Sequence, residues 1–165
     1  MLAKLDHILG KCSDLINVVS KYVLGIIVAT MFASIILQVA LRYLFNTGLS
    51  WPEELTTFLM AWMTFLGSAI AVKQMEHISI NMFVERLPQR GQLLMRLITK
   101  ITMLLFVILL VYLGYNLAVN SVNYFSNALR LSLFWPRLSI LVGGSIMVLH
   151  LVHFIVRDLR EVRRT

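Results

Sequence analysis

The chain of 165 residues has one cysteine, Cys12, three prolines and only eight acidic residues. A single cysteine closes no intrachain disulfide, and no Cys, His or acidic cluster has metal-ligand spacing, so no metal is expected. Charge of either sign is scarce: 14% of the residues are charged, where a soluble domain carries about 25%. That shortage argues against a water-soluble globule. The lack of acidic residues leaves a net charge of +7. A nucleic-acid partner would need a solvated basic surface with interleaved aromatics, which is missing, so none is expected. No nucleophile converges with an acid–base set, so no enzymatic role is expected. The amino end, MLAKLDHILGKCSDLINVVSK, is interrupted by charges and has no short apolar core before a small-residue cleavage site. It is therefore expected to be retained in the protein.

What the chain has in abundance is apolar sequence in blocks of span length. Tyr22–Leu41 is bracketed by Lys21 and Arg42, and at about 1.5 Å per residue it covers roughly 30 Å, the hydrocarbon thickness. Further blocks occupy about 52–72, 97–119 and 133–156. They lack strand alternation, and lipid admits only helices and closed barrels. The prediction is an all-α integral membrane protein, one membrane domain over 1–165 with four transmembrane helices. Ahead of the first span, Leu2, Leu5, Ile8, Leu9, Cys12, Leu15, Ile16 and Val19 recur at helical spacing. They predict an amphipathic helix over about 2–20, lying on the membrane surface or packed on the helices. Pro88 and Gly91 mark a turn in a surface-hugging connection, 77–97.

Direction follows from the basic residues between spans. Twelve of them (Lys4, Lys11, Lys21, Lys73, Arg86, Arg90, Arg96, Lys100, Arg157, Arg160, Arg163 and Arg164) fall on one side, and Arg42, Arg130 and Arg137 on the other. The positive-inside rule then predicts both termini in the cytoplasm and the connections 42–51 and 120–132 outside.

The outer mouth of span two reads LSWPEEL. Ser50 suits an N-cap, Trp51 and Pro52 fit the opening turn, and Glu53 can close a capping box with Ser50. Glu53 and Glu54 both meet the positive end of the helix dipole. Arg42 ends span one on the same side, and Asn46 and Gly48 suit a tight turn between. Arg42 can thus pair with Glu53 or Glu54 across the hairpin, and the rival use of Glu54 is an acidic spot for a partner. LFWPRL opens span four in a related way, with Trp135 at the headgroup level and Arg137 in place of an acidic residue. Thr30, Ser34 and Gln38 share one face of span one, and Asn116, Asn120 and Asn123 cluster at the end of span three. Such groups are expected to face another helix. Gly67, Ser68 and Ala71, and Gly143, Gly144 and Ser145, form small-residue packing faces, either within the bundle or against a partner. No paired charges or broken helix mark a carrier site at the midplane. His150, His153 and His77 leave open a rival reading, the membrane anchor of a redox complex carrying haem.

The stretch RYLFNTGLSWPEELTTFLMAWMTFLGSAIAVKQMEHISINMFVERLP, 42–88, resembles the small, DctQ-type membrane subunit of tripartite ATP-independent periplasmic (TRAP) transporters. Arg42, Asn46, Trp51, Pro52, Glu53, Glu54, Gly67, Glu76 and His77 carry the resemblance. It implies a multi-pass subunit of the bacterial inner membrane that serves as a scaffold for a large multi-span transport subunit. It also implies a periplasmic substrate-binding protein as partner, besides membrane lipid. The cargo would be an organic acid of the sialic acid or C4-dicarboxylate type, imported by sodium symport. No cofactor is implied for this chain, and sodium is expected to bind the large subunit. Glu54, Trp135 and Arg137 become candidates for docking the binding protein.

Overall fold

The computed structural model describes residues 2–45, 48–75 and 89–162. They form four helices: α1 Leu2–Phe45, α2 Trp51–Met75, α3 Gln89–Val119 and α4 Phe134–Val162. Each is long and apolar enough to cross a membrane, over Leu9–Leu44, Trp51–Gln74, Leu94–Val119 and Phe134–Asp158. The all-helical membrane fold read from the apolar blocks is therefore the observed one. The helices overrun the predicted spans because a helix leaving lipid keeps its internal hydrogen bonds. Only α3 stops at its predicted end, Val119.

The amphipathic segment 2–20 is not a separate element. It runs on into span one as a single helix of 44 residues, about 66 Å long at about 1.5 Å per residue. No proline stands between the two parts to break them. The packed face also differs from the expected one. Ser13 and Ser20 are buried, while Leu15 and Val19 of the apolar stripe are exposed and so is Cys12. Polar groups on α2 and α4 need polar partners, whereas leucine and valine are equally at home in lipid.

The helices do not close into a four-cornered bundle. Packing runs α1–α2–α4–α3, with α1 also reaching α4, and among the described residues α3 touches α4 alone. Two glycines let α4 sit in the middle of this row. Gly143 lies against the backbone of Phe65 on α2, and Gly144 against Val111 on α3. Gly114 of α3 in turn receives Ile140. The core behind these contacts is Ala69, Val72, Val107, Met147 and Leu151. Of the two uses expected for the small-residue face of span two, packing within the bundle is not the one seen. Gly67 has open space around it, Ser68 and Ala71 are exposed, and Leu66, Ala69, Ile70 and Val72 are buried instead.

Polar groups within the spans are satisfied more locally than expected. Thr30 Oγ1 donates to Ile26 O and Ser34 Oγ to Thr30 O, both at 2.8 Å. Asn116 Nδ2 donates to Tyr112 O at 3.1 Å. Ser34 is also buried, as a residue facing another helix should be, whereas Thr30 and Asn116 are exposed and rely on the carbonyl one turn back. Asn120 and Asn123 lie beyond the end of α3.

Polar contacts gather instead in two belts, at the Trp-Pro end and at the basic end. From Glu54 to Lys73 along α2 the rise is about 28 Å, and from Arg137 to Asp158 along α4 about 32 Å. Both match a hydrocarbon core about 30 Å thick.

Candidate functional site

At the Trp-Pro end, α2 opens with Ser50 just outside the helix. Its carbonyl accepts the Glu54 N–H at 3.4 Å, and Pro52 is fully buried in the first turn. One turn in, the Glu54 side chain reaches the loop between α3 and α4. Its Oε1 accepts the N–H groups of Asn127 at 3.0 Å and Ala128 at 2.9 Å, and its Oε2 accepts those of Ala128 at 3.0 Å and Leu129 at 2.8 Å. Three consecutive N–H groups converging on one anion form a nest, and charge-assisted bonds of this kind are the stronger class. The loop is built to present them. Ser126 N–H donates to Leu131 O at 2.9 Å and Leu133 N–H to Tyr124 O at 2.8 Å, closing a small turn. Arg130 completes it at φ 53°, in the left-handed region. Arg137 Nη1 donates to Leu117 O at 3.5 Å, at the carbonyl end of α3, where a cation also meets the negative end of the dipole.

Glu54 therefore positions the loop and thereby couples the α2 start to the α3–α4 corner. Glu54→Gln replaces one acceptor oxygen with an amide donor aimed at another donor. It should speed hydrogen exchange at 127–129 several-fold while the helices keep their protection. Unchanged exchange at those amides would mean that the loop holds its shape without the carboxylate.

Glu53 stays exposed. It lines two open clefts, one of about 660 Å³ shared with Glu54, Phe58, Phe125 and Asn127, and one of about 460 Å³ shared with Gln38, Arg42 and Ser50. Arg42 and Glu53 face a common space, yet no ion pair joins them as one joins Lys73 to Asp14 and Lys100 to Asp158. Trp135 is 55% exposed and meets Phe134 edge-on. Asn46, Glu76 and His77 lie outside the described residues.

The basic end holds a polar cluster that all four helices build. Lys73 Nζ donates to Ser13 Oγ at 2.8 Å and pairs with Asp14 at 3.1 Å. Ser13 Oγ lies 2.7 Å from Nδ1 of the fully buried His150. Lysine only donates, so Ser13 accepts from it, and the hydroxyl proton is then available to His150 Nδ1. Lys100 Nζ meets Asp158 Oδ2 at 2.7 Å. Both ammonium groups stand over the Phe154 ring, Lys73 at 5.3 Å and Lys100 at 5.5 Å from its centroid. The sequence reading missed this cluster. The available signal was Lys100 and Asp158, opposite charges at one depth on different spans, together with Ser13 and Ser20 one heptad apart. His150, offered by the rival reading as a haem ligand, has its Nδ1 engaged by Ser13.

Both belts fasten helices to one another. The family profile of the tripartite ATP-independent periplasmic transporters, DctQ component, matches residues 31–161. A Haemophilus influenzae protein assigned as a TRAP transporter small permease is 33% identical over 105 residues, 64% of this chain and 61% of that one. The sialic acid TRAP transporter small permease protein SiaQ of Vibrio cholerae is 31% identical over 134 residues, 81% of this chain and 78% of that one. A third relative is far longer. The sialic acid TRAP transporter permease protein SiaT of Haemophilus influenzae is 29% identical over 75 residues, which are 46% of this chain but 12% of that protein. The chain thus spans about six-tenths of the first relative's length and nearly four-fifths of the second's. With the profile running from the middle of α1 almost to the end of α4, the chain belongs to the DctQ component family of the tripartite ATP-independent periplasmic transporters.

Proposed function

We propose that this multi-pass inner-membrane protein is the small scaffold subunit of a sodium-coupled tripartite importer of an organic acid, of the sialic acid or C4-dicarboxylate type. It braces a large permease subunit that carries both substrate and sodium. The observation that carries this reading is the open row of helices. Only 11% of the apolar window of α1 and of α3 is buried, against 44% for α4. The small face of α2 at Gly67, Ser68 and Ala71 is unfilled and suits the close approach of a further helix. The long relative that contains a similar segment within one permease chain supports the same partnership.

In the orientation set by the basic residues, the Trp-Pro end faces the periplasm, and this is where a substrate-binding protein would dock. Glu54 serves there indirectly, by fixing the loop that displays Arg130. Glu53 and Trp135 offer exposed side chains. Arg137 is partly spent on the end of α3. The test is co-expression with a large permease and a secreted binding protein. Co-purification with the permease is expected, and uptake in vesicles should require all three proteins and a sodium gradient. Uptake by this chain alone, or failure to associate with the permease, would sink the reading.

A further inference from the structure

The Ser13–His150 contact fixes more than the spacing of α1 and α4. Ser13 Oγ accepts from Lys73 Nζ and stands 2.7 Å from His150 Nδ1. With the ring proton on Nδ1, the serine hydroxyl would lack an acceptor and Nε2 would lack a donor. With the proton on Nε2, Ser13 donates to Nδ1 and only the Nε2–H is left to satisfy. The contact therefore selects the Nε2–H tautomer. His150 is fully buried, and among the described residues its Nε2 meets no hydrogen-bonding partner. A buried donor left empty is costly, and native proteins fill nearly all of them.

A matching acceptor lies one turn along α1. Asn17 Oδ1 is buried and likewise unpartnered among the described residues. Helix register places it beside the ring. Ser13 meets His150, and a Cβ on Gly10 would lie 3.2 Å from His153 Cε1. α1 and α4 thus run antiparallel here, and Asn17 falls at the level of Ile146. Helical side chains lean toward the N-terminus of their own helix, so the His150 ring leans toward that same level. Positions four apart on a helix stand about 6 Å from each other. That is too wide for a direct bond and close to two hydrogen bonds end to end, about 5.6 Å.

We propose that an internal water molecule is bound between α1 and α4, accepting from His150 Nε2–H and donating to Asn17 Oδ1. One donor and one acceptor are the fewest partners that hold a buried water. Two rivals fit less well. A metal ion needs a lone pair where Nε2 carries a proton. A chloride ion would take that proton but would set an anion against Asn17 Oδ1. The water completes a chain in which every bond points the same way: Lys73 to Ser13, Ser13 to His150, His150 to water, water to Asn17. Bonds aligned like this polarise and strengthen one another. The chain begins on α2, crosses α1, passes through α4 and returns to α1 one turn on. It thereby ties the amino-terminal part of the 44-residue helix to both neighbours. This inference is independent of the transport reading, since it requires neither permease nor substrate.

The test is nuclear magnetic resonance of the full-length chain in detergent with isotopically labelled histidine, His150→Gln identifying the His150 signals. Nε2 should carry a directly bonded proton and Nδ1 none, and that proton should give an Overhauser cross-peak to a long-lived water. In Asn17→Leu the cross-peak should be lost, and the Nε2 proton should move upfield as a donor without an acceptor does. Circular dichroism establishes that the variant is folded; where it is not, the wild-type spectrum decides alone. A proton on Nδ1, or no water at the Nε2 proton, overturns the proposal. So does a direct coupling from Nε2 to the Asn17 side chain, which would mean that the two groups bond without a bridge. An Nε2 shift that changes when sulfate replaces chloride would assign the site to an anion instead, and a water cross-peak that survives Asn17→Leu would remove Asn17 from it.

Discussion

Gly143→Ala should lower the thermal stability of the detergent-solubilised chain by about 2 kcal/mol, and Gly143→Leu should prevent α2 and α4 from docking. A Cβ at this position would lie 2.7 Å from both the Cβ and the carbonyl oxygen of Phe65 and 2.8 Å from its carbonyl carbon. Two of those three atoms are backbone inside a helix and have no rotamer to change. The helices can accommodate the methyl group only by moving apart, which loosens the contacts of Ala69, Met147 and Leu151 at once. Two other glycines serve as internal controls. Gly144→Ala meets mainly Val111 Cγ2, at 2.5 Å, a side-chain atom that can rotate, so its penalty should be smaller. Gly67→Ala meets nothing within 4 Å and should gain up to about 1 kcal/mol from helix propensity. Circular dichroism melts of the three variants give the ranking. A Gly143→Ala chain as stable as Gly67→Ala would mean that α2 and α4 do not touch at this point. In the presence of the large permease the scaffold reading adds a reversal: Gly67→Ala, harmless alone, should reduce co-purification.

The contrast between these glycines shows how far the sequence could be read. Span number and approximate limits were legible because lipid imposes length and apolarity on every crossing segment, and both are visible one residue at a time. Which face of each helix is packed was not. In water an apolar stripe points to the core, but Leu15, Val19 and the many exposed leucines of α3 face outward here, because lipid accepts them as readily as protein does. The same physics hid the role of small residues. Gly143 and Gly67 look alike in sequence, and only the row order, α4 between α2 and α3, makes one essential to packing and leaves the other open.

The Trp-Pro end was half legible. The opening turn at Trp51 and Pro52 follows from local rules, and α2 starts at Trp51, within a residue of the predicted limit. Glu54 seemed to lack a local task because its partners are backbone N–H groups more than seventy residues away. A main-chain donor carries no residue identity, so no motif advertises it. Arg42 and Glu53 were placed on the same side correctly, yet proximity in the hairpin does not bring them into an ion pair.

Asp158→Asn should destabilise the chain by about 3 kcal/mol, whereas Asp14→Asn should cost no more than about 0.5 kcal/mol. The two aspartates each accept a lysine at the basic end, and the difference lies in their exposure. Lys100 and Asp158 are both 12% exposed, while Asp14 is 71% exposed beside Lys73. Removing the Asp158 charge leaves an ammonium confined between α3 and α4, with Lys73 standing over the same Phe154 ring. Lys73 has Ser13 as a second acceptor and Asp14 is largely exposed, so Lys73 loses little when Asp14 is neutralised. Replacing both members, Lys100→Met with Asp158→Leu, should recover most of the stability lost in Asp158→Asn, because the main cost is one stranded charge rather than the loss of a favourable pair. Salt gives an independent reading. At high ionic strength the Asp14 contribution should vanish while the Asp158 effect persists, since screening ions reach the first and not the second. Melts of the single and double variants at low and high salt measure all of this. Equal penalties for the two aspartates would mean that the Lys100–Asp158 pair is hydrated and that α3 is held to α4 by apolar packing alone.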